Sequence, residues 1–128
     1  MIDTEKITIN MSAVDLGKVD LLVQEALYSN RTDFIRTAIR NMLDKHAIEL
    51  QQAIVRSSFV IGVLIYDRKS LEAFKARNER LNITIIGLLH LGRDITPELA
   101  MEVIESINVK GILDIGADLR SALADRIS

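Results

Sequence analysis

Polar and apolar residues alternate along Glu5-Lys6-Ile7-Thr8-Ile9-Asn10-Met11. Ile7, Ile9 and Met11 fall on one side of a pleat and Lys6, Thr8 and Asn10 on the other, the period-two pattern of a half-buried strand. The pattern then changes period. Ser12, followed three residues later by Asp15, reads as an N-cap, and Val14, Leu16, Val19, Leu22, Val23, Ala26 and Leu27 recur at helical spacing, predicting a helix over residues 13 to 27. Gly17 inside it predicts the close approach of a neighbouring backbone. Asn30 caps a second helix whose stripe is Phe34, Ile35, Ala38, Ile39, Met42 and Leu43. Its spacing continues through Ala47, Leu50 and Ile54, so the helix runs on, or resumes after a kink near Asp44 to His46, to about Arg56. Met1 to Thr4 reads as a frayed end.

The C-terminal half repeats. Val60-Ile61-Gly62-Val63-Leu64, Ile85-Ile86-Gly87-Leu88-Leu89 and Val109-Lys110-Gly111-Ile112-Leu113 each carry a glycine in the same place, and each is followed by a turn and a helical pattern. The helices contain Leu71, Phe74 and Leu81; Leu99, Val103 and Ile104; and Leu119, Leu123 and Ile127. Thr96, Pro97 and Glu98 give the clearest helix start among them. Near-continuous apolar runs alternating with helices predict parallel strands buried on both faces. The expected fold class is α+β: an N-terminal strand-helix-helix unit followed by a small α/β domain of three βα units, either a leucine-rich-like solenoid or a compact parallel sheet. The boundaries read as 1–46, a connector helix over 47–57, and 58–128.

The first strand has no partner in its own half. An isolated strand leaves its amides unpaired and its apolar face wet. The same strand from a second copy supplies both needs: an antiparallel two-fold ribbon buries Ile7 and Ile9 and displays two sets of Lys6, Thr8 and Asn10, in a shape that fits the major groove of B-DNA.

Composition bounds these readings. The chain has 128 residues, 48% of them apolar, so it can build a core. No apolar run approaches a membrane span and the start lacks a signal-peptide pattern, which predicts a soluble, cytoplasmic protein with no membrane partner. With no cysteine and only His46 and His90 as histidines, neither a soft-metal site nor a thiolate nucleophile is expected. His90 reads as a hydrogen-bonded core or turn histidine. Asp67, Asp94 and Asp114 follow the strands as turn residues. No phosphate loop, nucleotide fingerprint or nucleophile triad is present, so no enzyme, no cofactor and no metal are expected. The net charge of −2 predicts modest, strongly salt-dependent affinity for nucleic acid, with any basic surface created by arrangement.

Strand, helix, tight turn and helix within about 40 residues resembles the ribbon-helix-helix family of DNA-binding proteins, which includes the CopG, Arc and MetJ repressors. The residues that carry the resemblance are Lys6-Ile7-Thr8-Ile9-Asn10-Met11-Ser12 and Ser29-Asn30-Arg31-Thr32-Asp33-Phe34-Ile35-Arg36-Thr37-Ala38-Ile39-Arg40. The resemblance implies an intertwined homodimer bound to double-stranded DNA. Lys6, Thr8 and Asn10 would contact base edges, and the start of the second helix at Asn30, Arg31 and Thr32 would hold a phosphate. Arg36 and Arg40 read instead as partners of Asp33 and Asp44 in surface ion pairs. The function expected is a sequence-specific transcriptional regulator whose C-terminal domain joins dimers into higher oligomers. The rival is a non-enzymatic scaffold in which the N-terminal unit only dimerises and the βα domain polymerises. An antitoxin ranks third, because residues 58 to 128 are more apolar and regular than a disordered toxin-binding tail.

Overall fold

The structure, a computed structural model, describes residues 4–128. The expectation for Met1 to Thr4 lies, apart from Thr4, outside them. The chain divides into two units, one of Lys6–Ala53 and one built on Ile54–Ser128.

The first unit holds α1 (Ala13–Gln24) and α2 (Arg31–Lys45). Ser12 caps α1 by accepting from the Asp15 amide at 3.1 Å, and Asn30 caps α2 by accepting from the Asp33 amide at 2.8 Å. α1 stops three residues short of the predicted Leu27. Ala26 adopts φ 59°, and the Leu27 and Ala26 amides bond back to the Leu22 and Val23 carbonyls. That closure satisfies carbonyls left over at the helix end, at the cost of a left-handed alanine. Gly17 also differs from expectation, since a Cβ built there meets nothing within 4 Å among the described residues. α2 ends at His46 and α3 (Ala47–Ser57) follows at once, which puts a break inside the stretch of continuous helical spacing.

The second unit contains β1 (Val60–Tyr66), α4 (Arg68–Ala76), β2 (Leu81–Leu91), α5 (Pro97–Val103), β3 (Ile104–Asp114) and α6 (Ala117–Ala122). The three strands form one parallel sheet in the order β1-β2-β3. Leu71 of α4, Leu99, Ala100 and Val103 of α5, Leu119 of α6 and Leu123 at its C-cap pack with Ile83, Ile85, Leu89, Leu91, Ile104 and Ile107 in a single core. Each such aliphatic side chain taken fully out of water contributes about 1.5–3 kcal/mol. β2 and β3 are longer than the glycine-centred runs suggested: Leu81 and Ile104, expected in helices, open these strands. Ile127 likewise leaves the helix pattern and bridges to Ile107 beside β3.

Burial on both sheet faces was expected and is not what β1 shows. Ile61, Val63 and Ile65 are 67, 50 and 56% exposed, because the helices cover one side only and β1 is the edge strand among the described residues. Gly62, Gly87 and Gly111 stand directly opposite one another across the sheet at φ 140°, 139° and 125°. A Cβ on Gly87 would overlap the Gly62 carbonyl oxygen, and one on Gly111 would overlap the Gly87 carbonyl oxygen. The repeated glycine is therefore a backbone-on-backbone contact that no side chain allows.

Candidate nucleic-acid interface

Residues 5–11 lie outside every helix and every sheet ladder of the described chain, and no backbone hydrogen bond among the described residues involves them. Lys6, Thr8 and Asn10 are exposed, as their predicted role requires. The apolar side is exposed as well: Ile7 is 72% and Ile9 61% accessible. In water the amides of such a segment are hydrated, and the unfavourable feature that remains is the wet apolar side of Ile7 and Ile9.

The start of α2 is built by local hydrogen bonds. Asn30 accepts from the Asp33 amide, and the Asp33 carboxylate accepts in turn from the Ser29 amide at 2.9 Å. Tyr28 and Phe34 meet edge to face with centroids 5.0 Å apart, pinning the chain on both sides of the cap. The Phe34 amide donates to the Asn30 carbonyl. That leaves the amides of Asn30, Arg31 and Thr32 with no acceptor among the described residues, at the positive end of a helix of 15 residues. Unsatisfied amides aimed out of a helix N-terminus suit an anion.

The Arg31 side chain is engaged elsewhere. Its Nε and Nη2 donate to the two Asp20 carboxylate oxygens at 2.7 and 2.8 Å, a two-pronged pair linking α1 to α2. That hydrogen bonding holds the Asp20 carboxyl below its ordinary range and lifts the guanidinium above its own, so both stay charged. Both side chains are about half exposed, which leaves the pair open to exchange with a competing anion. Arg36 and Arg40 do not form the ion pairs with Asp33 and Asp44 that their spacing suggested; neither has a carboxylate within 4 Å among the described residues. The structure thus brings Asn30, Arg31 and Thr32 together at one helix end and puts Lys6, Thr8 and Asn10 on one exposed segment.

Two further polar contacts were not foreseen. Asp20 and Arg31 are eleven residues apart on different helices, where no periodicity rule pairs them. His90 has its Nδ1 2.8 Å from the Asp114 carboxylate across the β2-β3 ladder, which places it among hydrogen-bonded strand histidines. Matching the glycine repeats would have found that pair, since Gly87 opposite Gly111 sets His90 opposite Asp114. Among the described residues no group of three or more His, Cys, Asp or Glu is placed to hold a metal, and no helix is long and apolar enough to cross a membrane.

The profile of the ribbon-helix-helix transcriptional regulator family matches residues 2–120 of the chain. The protein belongs to that family, a family of regulators that bind DNA and dimerise. Searches among curated proteins and among solved structures returned no match.

Proposed function

We propose that the protein is a sequence-specific DNA-binding regulator that works as a homodimer, residues 1–46 forming the DNA-binding unit, 47–57 the connector and 58–128 a domain that joins dimers. Two copies pair residues 5–11 antiparallel and bury Ile7 and Ile9 between them. The resulting ribbon enters the major groove. There Lys6 donates to guanine O6 or N7, Asn10 pairs with the N6 and N7 edge of adenine, and Thr8 contacts the base between. The amides of Asn30, Arg31 and Thr32 receive a backbone phosphate, and the Arg31 guanidinium exchanges Asp20 for it.

The observation that carries this reading is the exposure of Ile7 and Ile9 on a segment with no backbone partner among the described residues. Nothing about a solvated strand explains its alternation, whereas a two-fold ribbon uses both faces. The exposed side then carries hydrogen-bonding groups suited to base edges. The test is selection of bound duplexes from a random pool, followed by Lys6→Ala and Asn10→Ala on the winning sequence. Each substitution is expected to weaken binding to that duplex by about 5- to 150-fold, the equivalent of about 1–3 kcal/mol for one good base contact. Binding to an unrelated duplex should change far less. Unchanged affinity for the selected duplex at low salt removes direct readout by this segment.

A further inference from the structure

We infer that the free edge of β1 is the seat for β3 of another copy of this chain, added parallel and in glycine register, so that sheets join head to tail. The inference rests on the proposal that residues 58–128 join dimers and names the surface and the partner.

The glycine row carries the argument. At Gly87 and Gly111 a positive φ coincides with the glycine carbonyl of the preceding strand lying where a Cβ would stand. Gly62 has the same conformation, φ 140°, yet nothing lies within 4 Å of its missing Cβ among the described residues. The described residues of one chain account for two of the three cradles and leave the third empty. What fits it is a strand that presents a glycine carbonyl in the same place. In the order β1-β2-β3 each glycine carbonyl points toward the next strand, so the Gly111 carbonyl of β3 points away from β2, off the far edge of the sheet. The two ends of the sheet are therefore complementary.

Among the described residues the far edge is open over the needed length. The chain's end pairs with β3 only around Ile107, where the Ile107 amide donates to the Arg126 carbonyl and the Ser128 amide to the Ile107 carbonyl. β1 is seven residues long and matches β2 from Ile85 to Leu91, the stretch that β3 matches from Val109 onward. Continuing that register sets Val109 beside Val60, Gly111 beside Gly62, Ile112 beside Val63 and Leu113 beside Leu64. Val60 and Val63, 54 and 50% exposed in the single chain, gain apolar neighbours. One exposed group stands in the way: Arg120 Nη2 donates to the Leu113 carbonyl at 3.0 Å and gives that acceptor up to a strand amide. A two-fold pairing of β1 with itself would be antiparallel, and an antiparallel neighbour does not repeat the parallel geometry that places a glycine carbonyl at Gly87 and Gly111.

Sedimentation velocity of the full chain without DNA, over a range of concentrations, tests the inference. The wild type is expected to form species larger than a dimer that grow with concentration. Val63→Lys and Ile112→Glu should each abolish them, and the double variant should restore them, since the new lysine of one copy meets the new glutamate of the next. Rescue by the double variant also shows that neither change simply unfolds the domain. A wild type that never exceeds a dimer overturns the inference, as does large species lost in Val63→Lys but kept in Ile112→Glu, the outcome of β1 pairing with itself. Failure to rescue overturns it too. The species left in the single variants reports separately on the ribbon: a dimer where residues 5–11 pair, a monomer where they do not.

Discussion

The two units treat the same kinds of residue differently. In Ile54–Ser128, side chains from three helices and the sheet close over one another until Leu71, Ile85, Leu89, Leu91 and Leu123 have no exposure at all. In Lys6–Ala53 the only buried apolar residue is Val19, while Ile7, Ile9, Val14, Leu21, Ile39, Met42 and Leu43 stand largely in solvent. Residues are apolar at helical or strand period in both, so the difference is not one of pattern. It is one of who completes the core. The second unit supplies its own layers; the first, in the dimer proposed above, supplies half of an interior. A stretch of about 50 residues is short for an independent core, and association is one of the usual remedies. Stability in the first unit should then depend on protomer concentration even at dilution, and in the second only at concentrations where sheets join.

The strongest test of self-sufficiency in the second unit is its glycine row. Gly87→Ala combines a disallowed φ with overlap onto the Gly62 carbonyl, and is expected to cost about 2–6 kcal/mol. Gly62→Ala suffers only the conformational penalty, about 1–3 kcal/mol, because no described residue fills the space beside it. Thermal unfolding followed by calorimetry should show the larger loss for Gly87→Ala at dilution. Equal losses there would mean that the cradle at Gly62 is already filled by something within the chain.

The matching test of dependence in the first unit is Ile9→Ala. On a segment that stays in water, such a change is worth within about 0.5 kcal/mol. In a ribbon that buries Ile9 it is expected to cost about 2–5 kcal/mol per copy and to weaken the dimer. The measurement is the concentration dependence of helix melting, wild type against variant. An unmoved midpoint would show that the exposure of Ile9 is its working state.

How far each unit could be read beforehand follows the same division. Features set by a few neighbouring residues were legible: the caps at Ser12, Asn30 and Thr96, the parallel sheet, and a glycine at the same point of three strands. What depends on distant geometry was not. Leu81 and Ile104 fit a helix stripe as well as a strand, and only the register with the neighbouring strand decides for the strand. Arg31 had acidic residues nearer in sequence than Asp20, yet the packing of α1 on α2 chose Asp20. Of the candidate site, the exposed row Lys6, Thr8 and Asn10 and the open amides at Asn30, Arg31 and Thr32 follow from alternation and capping, whereas the occupied state of the Arg31 guanidinium does not.

The smallest effect compares one local device in both units. α1 is followed by Ala26 at φ 59° and α4 by Asn78 at φ 56°, each closed by the same pair of backward hydrogen bonds: Leu27 to Leu22 and Ala26 to Val23 in one, Glu79 to Phe74 and Asn78 to Lys75 in the other. Alanine pays the full steric cost of the left-handed region, while asparagine tolerates it better. Glycine removes that cost and gives back part of the gain by loosening the unfolded chain. Ala26→Gly is therefore expected to stabilise by about 0.5–1 kcal/mol and Asn78→Gly by less, in the range of a few tenths of a kcal/mol. If the first unit shares its core as proposed, the gain from Ala26→Gly should appear in the transition that depends on concentration even at dilution, whereas Asn78→Gly should move only the one that does not once the sheets are apart. Both substitutions shifting a single common transition would mean that the two units unfold together, and the contrast between a self-made and a shared interior would have to be given up.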